Sequence, residues 1–398
     1  MSKYFFYISF LLFCGIVFSA CTKLGPASPE ENTLLDGPVE GLSPQEQLQF
    51  LHGDEAFNKT FTVAKGLGPV FVATQCASCH AGDGKGTPFV EFIRFGQWDS
   101  TGNKYLNQGG PQLQQNAIPG FQPETLPDGA PFTTLIAPAV TGLGFVDAVS
   151  DADILANADP FDSNNDGISG RAHWNTIPAY VTLRPNTIVK NGKYITRFGK
   201  KAGAYDLLHQ TSAAYNQDMG IASAYEAIDA YSGLEIDPEL STQTLNDVVF
   251  YLKTLKAPLR RNAEDFTVLK GENIFSAIEC AKCHTPKFTT SDSPIASLSN
   301  VEFYPYSDML LHDMGDALDD GYTEGYASTA EWRTPLLWGL GLSKDAQGGT
   351  YHLMHDGRAK SISQAIEFHG GEAQNSKEAY LALSSEDKSA LIKFLESL

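Results

Sequence analysis

Apolar residues recur at helical spacing in two pairs of segments. Phe61-Thr62-Val63-Ala64-Lys65-Gly66, followed by Val70-Phe71, matches Phe266-Thr267-Val268-Leu269-Lys270-Gly271, followed by Ile274-Phe275, with one residue of slippage. Each leads into a pair of cysteines, so the pattern predicts a duplicated unit with a helix before each pair. A second repeat closes each half: Leu240 to Leu255 and Leu383 to Leu398 both run sixteen residues. Both carry Ser or Thr near the start, as an N-cap, and an apolar stripe, which predicts two more helices. Between Gly86 and Gly199 neither period holds, and Gly, Pro, Asn and Asp abound. That stretch reads as long loops with little regular structure. Tyr4 to Phe18 is apolar but too short to span a bilayer. Residues 22 to about 45 are rich in Pro, Gly, Ser and Glu without aromatics, and read as a flexible tether.

Composition sharpens this only in part. The 398 residues are 42% hydrophobic, with 24 Phe and 16 Tyr, so the chain can bury two or three domain cores and is not disordered as a whole. The formal charge of −19 excludes the basic footprint of a nucleic-acid binder.

The six cysteines say more. Lys3, the apolar run and Phe18-Ser19-Ala20-Cys21 read as an export signal. The end of that segment resembles a bacterial lipobox, with Cys21 the lipidated residue. An ordinary signal cut after Ala20 is the alternative. Either reading places the mature protein outside the cytoplasm. The four cysteines beyond Cys14 and Cys21 form Cys76-Ala77-Ser78-Cys79-His80 and Cys280-Ala281-Lys282-Cys283-His284. CxxCH is the c-type haem signature: two thiols three positions apart reach both vinyl groups, and His80 or His284 then lies under the iron. A disulfide would not need the His, and zinc would want two paired CxxC motifs. The expectation is two covalently bound haem c groups.

The fold expected is mainly α, with two cytochrome-c-like domains and a long loop-rich insertion in the first. The expected boundaries are a signal peptide at 1–21, a tether at 22–56, a first haem domain at 57–257 and a second at 262–398. Residues 256–262 with Pro258 join the two, and the first is about sixty residues the longer.

His355-Asp356-Gly357-Arg358-Ala359, followed by Ser361-Ile362 and Gln364 to His369, resembles bacterial di-haem cytochrome c peroxidases and the related tryptophylquinone-forming enzymes. A narrower resemblance is to the di-haem oxidoreductases described as peroxidases or thiol oxidoreductases. It rests on Asp159-Pro160-Phe161-Asp162, Asp166-Gly167-Ile168-Ser169-Gly170-Arg171, Asp218-Met219-Gly220-Ile221, Leu310 to Gly315, Glu331 to Pro335 and His369-Gly370-Gly371-Glu372-Ala373, in order over about 60–398. One departure is Lys200, where a Trp often follows the Gly. The resemblance implies that His369 is the second axial ligand of the second haem, opposite His284. It also implies that Asp218 stands where the peroxidases carry a distal acid/base.

Other residues stay open between chemistry and packing. Met219 is a core side chain or a ligand of the first haem. His173 and His209 are surface histidines or ligands, and His312, His352, His355, Met309, Met314 and Met354 lie in the second half. Arg333 and Arg358 could pair with propionates or with carboxylates. Trp98, Trp174, Trp332 and Trp338 are core residues by default, with Trp332 the best electron-relay candidate because it sits inside a family motif. Asp162, Asn164 and Asp166-Gly167 follow the start of a calcium loop, although position twelve is His173. The related peroxidases hold calcium, and an Asx-rich turn is the alternative.

The expected function is a di-haem oxidoreductase that takes electrons from a small redox donor such as a cytochrome or cupredoxin and reduces hydrogen peroxide or another small oxidant. The alternatives are a non-enzymatic electron carrier and an oxidase of thiols or partner side chains. The expected location is the periplasmic side of the cell envelope, with membrane contact only through the lipid anchor.

Overall fold

The computed structural model describes residues 35, 37–81, 86–99 and 101–398. Cys14, Cys21, the signal segment and residues 22–34 of the expected tether lie outside the described residues. No helix among the described residues is long and apolar enough to cross a membrane.

The rest of the expected tether is not a tether. Ser43-Pro44-Gln45-Glu46 forms a capping box: Ser43 Oγ accepts the Glu46 N–H at 3.3 Å, and Glu46 Oε2 accepts the Ser43 N–H at 2.8 Å. Pro44 at the helix start needs no hydrogen-bond partner for a missing N–H. The helix Pro44–Phe57 follows, burying Phe50, Gly53, Ala56 and Phe57. Those four residues make one stripe, and it lies against the helix Thr242–Thr254.

This displaces a second expectation. Phe61–Gly66 is not an α-helix. It holds a 3-10 turn, Val63–Lys65, and leads to a short strand, Val70–Phe71. In the second half the expected helix is present, Phe266–Ala277, with Asp265 accepting the N–H groups of Thr267 and Val268 at its start. The structural repeat is therefore Phe50-Leu51-His52-Gly53 to Phe57 against Val268-Leu269-Lys270-Gly271 to Phe275. Each glycine is the point of closest helix approach. A Cβ on Gly53 would lie 2.5 Å from Tyr251 Cβ, and one on Gly271 would lie 2.7 Å from Phe394 Cβ. The aromatic four residues later packs on the same partner: Phe57 and Tyr251 rings are 5.3 Å apart, and so are Phe275 and Phe394.

The closing helices stand where the sequence predicts them. Ser241 caps Thr242–Thr254, and Ser384 caps Ser385–Ser397. The first packs on Pro44–Phe57 and the second on Phe266–Ala277. Each pair centres one of the two main cores. The larger core is not confined to the first half, because Phe288, Phe303, Met309, Leu310 and Trp338 belong to it. Residues 35–398 form one compact unit.

The segment between Gly86 and Gly199 carries more regular structure than its composition suggests. Glu91–Phe95 pairs antiparallel with Phe132–Ile136, and Lys193–Thr196 sits between His173–Asn175 and Val189–Lys190. Two five-residue helices, Leu143–Asp147 and Asp151–Leu155, lie between these ladders. The strands are short, and apart from the hairpin that Asn191-Gly192 closes their partners are distant in sequence, so little local alternation announces them.

Candidate functional site

Both CxxCH motifs fold as one tight turn. Cys76–Ser78 and Cys280–Lys282 are 3-10 turns. The N–H of His80 donates to Cys76 O at 3.0 Å, and that of His284 to Cys280 O at 2.9 Å. The turn brings two thiols and an imidazole to one side of the backbone. Burial pushes Cys76, Cys79 and Cys280 up to about 12. All four motif cysteines are free thiols in this structure. None of the four is paired in a disulfide.

The histidines divide by what their ring nitrogens do. His80 Nδ1 donates to Pro138 O at 3.0 Å, and His284 Nδ1 donates to Tyr306 O at 2.9 Å. His369, just beyond the helix Ile362–Phe368, uses Nδ1 in the same way on Ala365 O, at 2.6 Å. A backbone carbonyl can only accept, so each ring keeps its proton on Nδ1 and offers the Nε2 lone pair. Burial holds His80 and His284 at about 4, and His369 below its ordinary value, so all three are neutral near pH 7, as an iron ligand must be.

The other histidines lack this arrangement. His173 is closed on both sides: Nδ1 donates to Lys201 O at 2.8 Å, and Nε2 accepts the Tyr326 N–H at 2.9 Å. His312 is held between two carboxylates, Glu372 at 2.7 Å and Asp308 at 2.8 Å. Those two carboxylates, helped by the Cys283 sulfur, outweigh burial and keep His312 protonated. His209 and His352 use Nδ1 as an acceptor, from the Tyr205 N–H and Lys360 Nζ, which puts the proton on Nε2.

A single cavity of about 870 Å³ borders both motifs, together with His369, Asp218, Arg333 and Trp332. His173, Arg358, Trp174 and Trp338 are not among its described walls. At the first motif the cavity carries a polar pair. Asp218, near the end of the helix Leu207–Met219, is half-buried and turned to the cavity. Burial pushes its carboxyl up to about 7, against the pull of Arg94. Arg94, on the strand Glu91–Phe95, is fixed by Tyr322 OH at 3.3 Å, Gln217 Oε1 at 3.4 Å and Glu324 Oε1 at 3.2 Å. Sequence reasoning missed Arg94. Its partners stand 123 to 230 residues away, and no local motif marks it. Met219 is buried in the larger core and also reaches the cavity wall.

The second motif is walled in part by the insertion. Lys282 Nζ lies 3.2 Å from Asp166 Oδ2, Ser169 Oγ bonds Glu372, and Arg171 pairs with Glu331. Gly170 sits so close to the His312 ring that a Cβ would come within 2.7 Å of it. The loop expected to hold calcium also packs against the second motif. Asp162 Oδ1 accepts the Asp166 and Gly167 N–H groups, Asn164 Oδ1 accepts the Asp166 N–H, and the cation facing Asp166 is the Lys282 ammonium. These contacts make the loop an Asx-rich turn, the bonding that a calcium loop also carries. Of the two arginines, Arg333 borders the cavity with Nε on Gly199 O and Nη1 on Thr334 O, whereas Arg358 is tied to Asp356 at 2.6 Å.

The cavity fits haem by what it leaves unsatisfied. Thr211 Oγ1, Tyr215 OH and Thr334 Oγ1 are buried on its walls with no hydrogen-bond partner among the described residues. Such atoms are costly unless something fills the space beside them. Cys76, Cys79 and His80 would hold one group, and Cys280, Cys283, His284 and His369 the other.

No curated protein matches the chain. Among solved structures, hydrazine synthase of Kuenenia stuttgartiensis is 14% identical, with 94% of this chain and 95% of that one covered, at a TM-score of 0.36. A MauG-like protein associated with microbial copper homeostasis is 15% identical, with 63% and 89% covered, at a TM-score of 0.33. Neither score is high enough to equate the folds. The family model described as "Di-haem oxidoreductase, putative peroxidase" matches residues 132–398, two thirds of the chain, and this protein belongs to that family.

Proposed function

We propose that the protein is a c-type di-haem oxidoreductase that reduces hydrogen peroxide at its first motif, with electrons entering at the second. The observation that carries this reading is an asymmetry between two like sites. Both motifs offer a half-buried neutral histidine with its Nδ1 anchored. Only the second has a matching partner, His369, while the first has an acid poised near neutrality beside a guanidinium.

The family carries two haems, and when bound they supply iron that passes electrons one at a time. The chain's own residues supply the rest. Cys76 and Cys79, and Cys280 and Cys283, form the thioethers. Reduction of peroxide to two waters consumes two electrons and two protons. The Asp218 carboxylate accepts the proton of one peroxide oxygen and returns it to the other as the O–O bond breaks. Arg94 Nη1 and Nη2 hold positive charge beside that transfer and keep Asp218 low enough to ionise. The electron donor is a small redox protein such as a cytochrome or cupredoxin. Haem attachment through thioethers agrees with an exported, envelope-facing protein tethered through Cys21.

One observation favours a plain electron carrier instead: Met219 reaches the cavity wall and could close the first iron. EPR spectroscopy with stepwise reduction separates the two readings. A low-spin signal lost in His369→Ala, a high-spin signal in the half-reduced protein, and peroxide-dependent oxidation of the donor are expected. Two low-spin irons throughout, without turnover, would establish the carrier.

A further inference from the structure

Trp332 is built into a sandwich that the function above does not require. On one face the Lys201 ammonium stands 3.9 Å from the ring centroid. On the other the His355 imidazole stacks at 3.7 Å and 8°. The indole N–H donates to Leu318 O at 2.9 Å. Trp332 borders the cavity shared by both motifs.

The charge on Lys201 follows from its partners. Its Nζ bonds three carbonyls, Ser328 O at 3.0 Å, Thr329 O at 2.9 Å and Glu331 O at 3.0 Å, with Asp320 Oδ1 at 3.7 Å. Three acceptors need three N–H donors, which only the ammonium has. An amine would set its lone pair against a carbonyl. The cation is thus fixed over the π face, where it stabilises the neutral ring. The same cation, nearest to the ring at 3.9 Å, opposes loss of an electron from it, with Asp320 as its counter-charge on Nζ at 3.7 Å.

Proton loss gives no escape. An oxidised indole sheds its N–H proton when a base is at hand, but Leu318 O is a backbone carbonyl and takes none. His355 lies over the ring face and not at the nitrogen.

We infer that Lys201 and Leu318 O together lock Trp332 against one-electron oxidation, so that oxidising equivalents in the cavity are met by incoming electrons and do not leak out through this indole. Lys201 is a positioning residue here, because it acts through Trp332. The inference deepens the reading of the cavity as a redox centre by fixing the direction in which charge moves. It also argues against an oxidase of partner side chains that would work through Trp332.

The test needs no peroxide. The holoprotein is oxidised with photogenerated ruthenium(III) tris-bipyridine, which takes one electron from the protein's aromatic side chains, buried ones included, and returns to ruthenium(II). Tryptophan radical is read by freeze-quench EPR. Wild type and Trp332→Phe should give the same radical yield. Lys201→Met should raise the yield by about tenfold or more, and the gain should vanish in Lys201→Met/Trp332→Phe. Lys201→Arg should behave as wild type. A wild-type radical that disappears in Trp332→Phe would overturn the inference, as would a Lys201→Met protein with no gain. If Lys201→Met does not fold, the wild-type and Trp332→Phe comparison decides alone. Loss of peroxide turnover would leave this result untouched, so the two readings fail separately.

Discussion

Replacing Asp218 by Asn removes the one side chain asked to carry a proton at the first motif. Its carboxyl is lifted from an ordinary value of 3.8 to about 7, by burial first and in spite of Arg94. Three pH units at ~1.4 kcal/mol each make the preference for the protonated form about 4 kcal/mol. The exposed part of Asp218 faces the cavity, so a filled cavity dries the group further. Only the carboxylate can accept the peroxide proton. Turnover should therefore rise with pH and level off above about 7. Asp218→Asn should lose about 10²–10⁴-fold in kcat/KM and show no such limb. Arg94→Gln removes the charge that pulls the carboxyl down, so its limb should move to higher pH. Stability carries the opposite sign. The folded protein binds more protons than the unfolded chain between about pH 4 and 7, so stability falls as pH rises through that window. Asp218→Asn should flatten this fall. The assay is peroxide-dependent oxidation of a reduced cytochrome across that range, with urea midpoints on the same samples. A variant with wild-type turnover and an unmoved limb would refute the role of Asp218.

Three further outcomes follow from the packing. Gly53→Ala and Gly271→Ala should each cost about 2 kcal/mol in urea denaturation despite better helix propensity, because the new Cβ meets the backbone of the facing helix at 2.2 Å (Asp247 O) and 2.1 Å (Ala390 O). His312→Ala should leave the low-spin EPR signal unchanged, since both ring nitrogens are committed to carboxylates. It should cost about 3 kcal/mol, by stranding Asp308 and Glu372. Exhaustive chelation of calcium should shift neither Tm nor EPR spectrum, because Lys282 faces Asp166, whereas Lys282→Ala should lower Tm by about 1 °C, for a loss of about 1 kcal/mol.

What the sequence reveals here depends on how local the signal is. CxxCH is five contiguous residues, and the turn that forms it needs no distant partner. Ser241 and Ser384 cap helices that carry their own stripes. The first opening helix was hidden by a register problem. Phe275 stands five residues before Cys280, but Phe57 stands nineteen before Cys76. Aligning the halves on their cysteines therefore set Phe61–Gly66 against a helix whose counterpart had already ended. The capping box at Ser43 and the Gly53-to-Phe57 spacing were the available signals, masked by a Pro- and Gly-rich approach. Arg94 and the Lys201–Trp332–His355 sandwich had no signal of this kind. Their partners lie far from them along the chain, and only the folded backbone makes them neighbours.

The central claim is that each half of this chain holds its own haem through its paired cysteines. Intact mass of the denatured protein, expressed in a host that matures c-type cytochromes, tests it most directly. The account predicts a gain of two haem masses over the same chain made without maturation, falling to one in Cys76→Ala/Cys79→Ala and to one in Cys280→Ala/Cys283→Ala. A colourless denatured chain, or a single added haem in the unmutated protein, would contradict it.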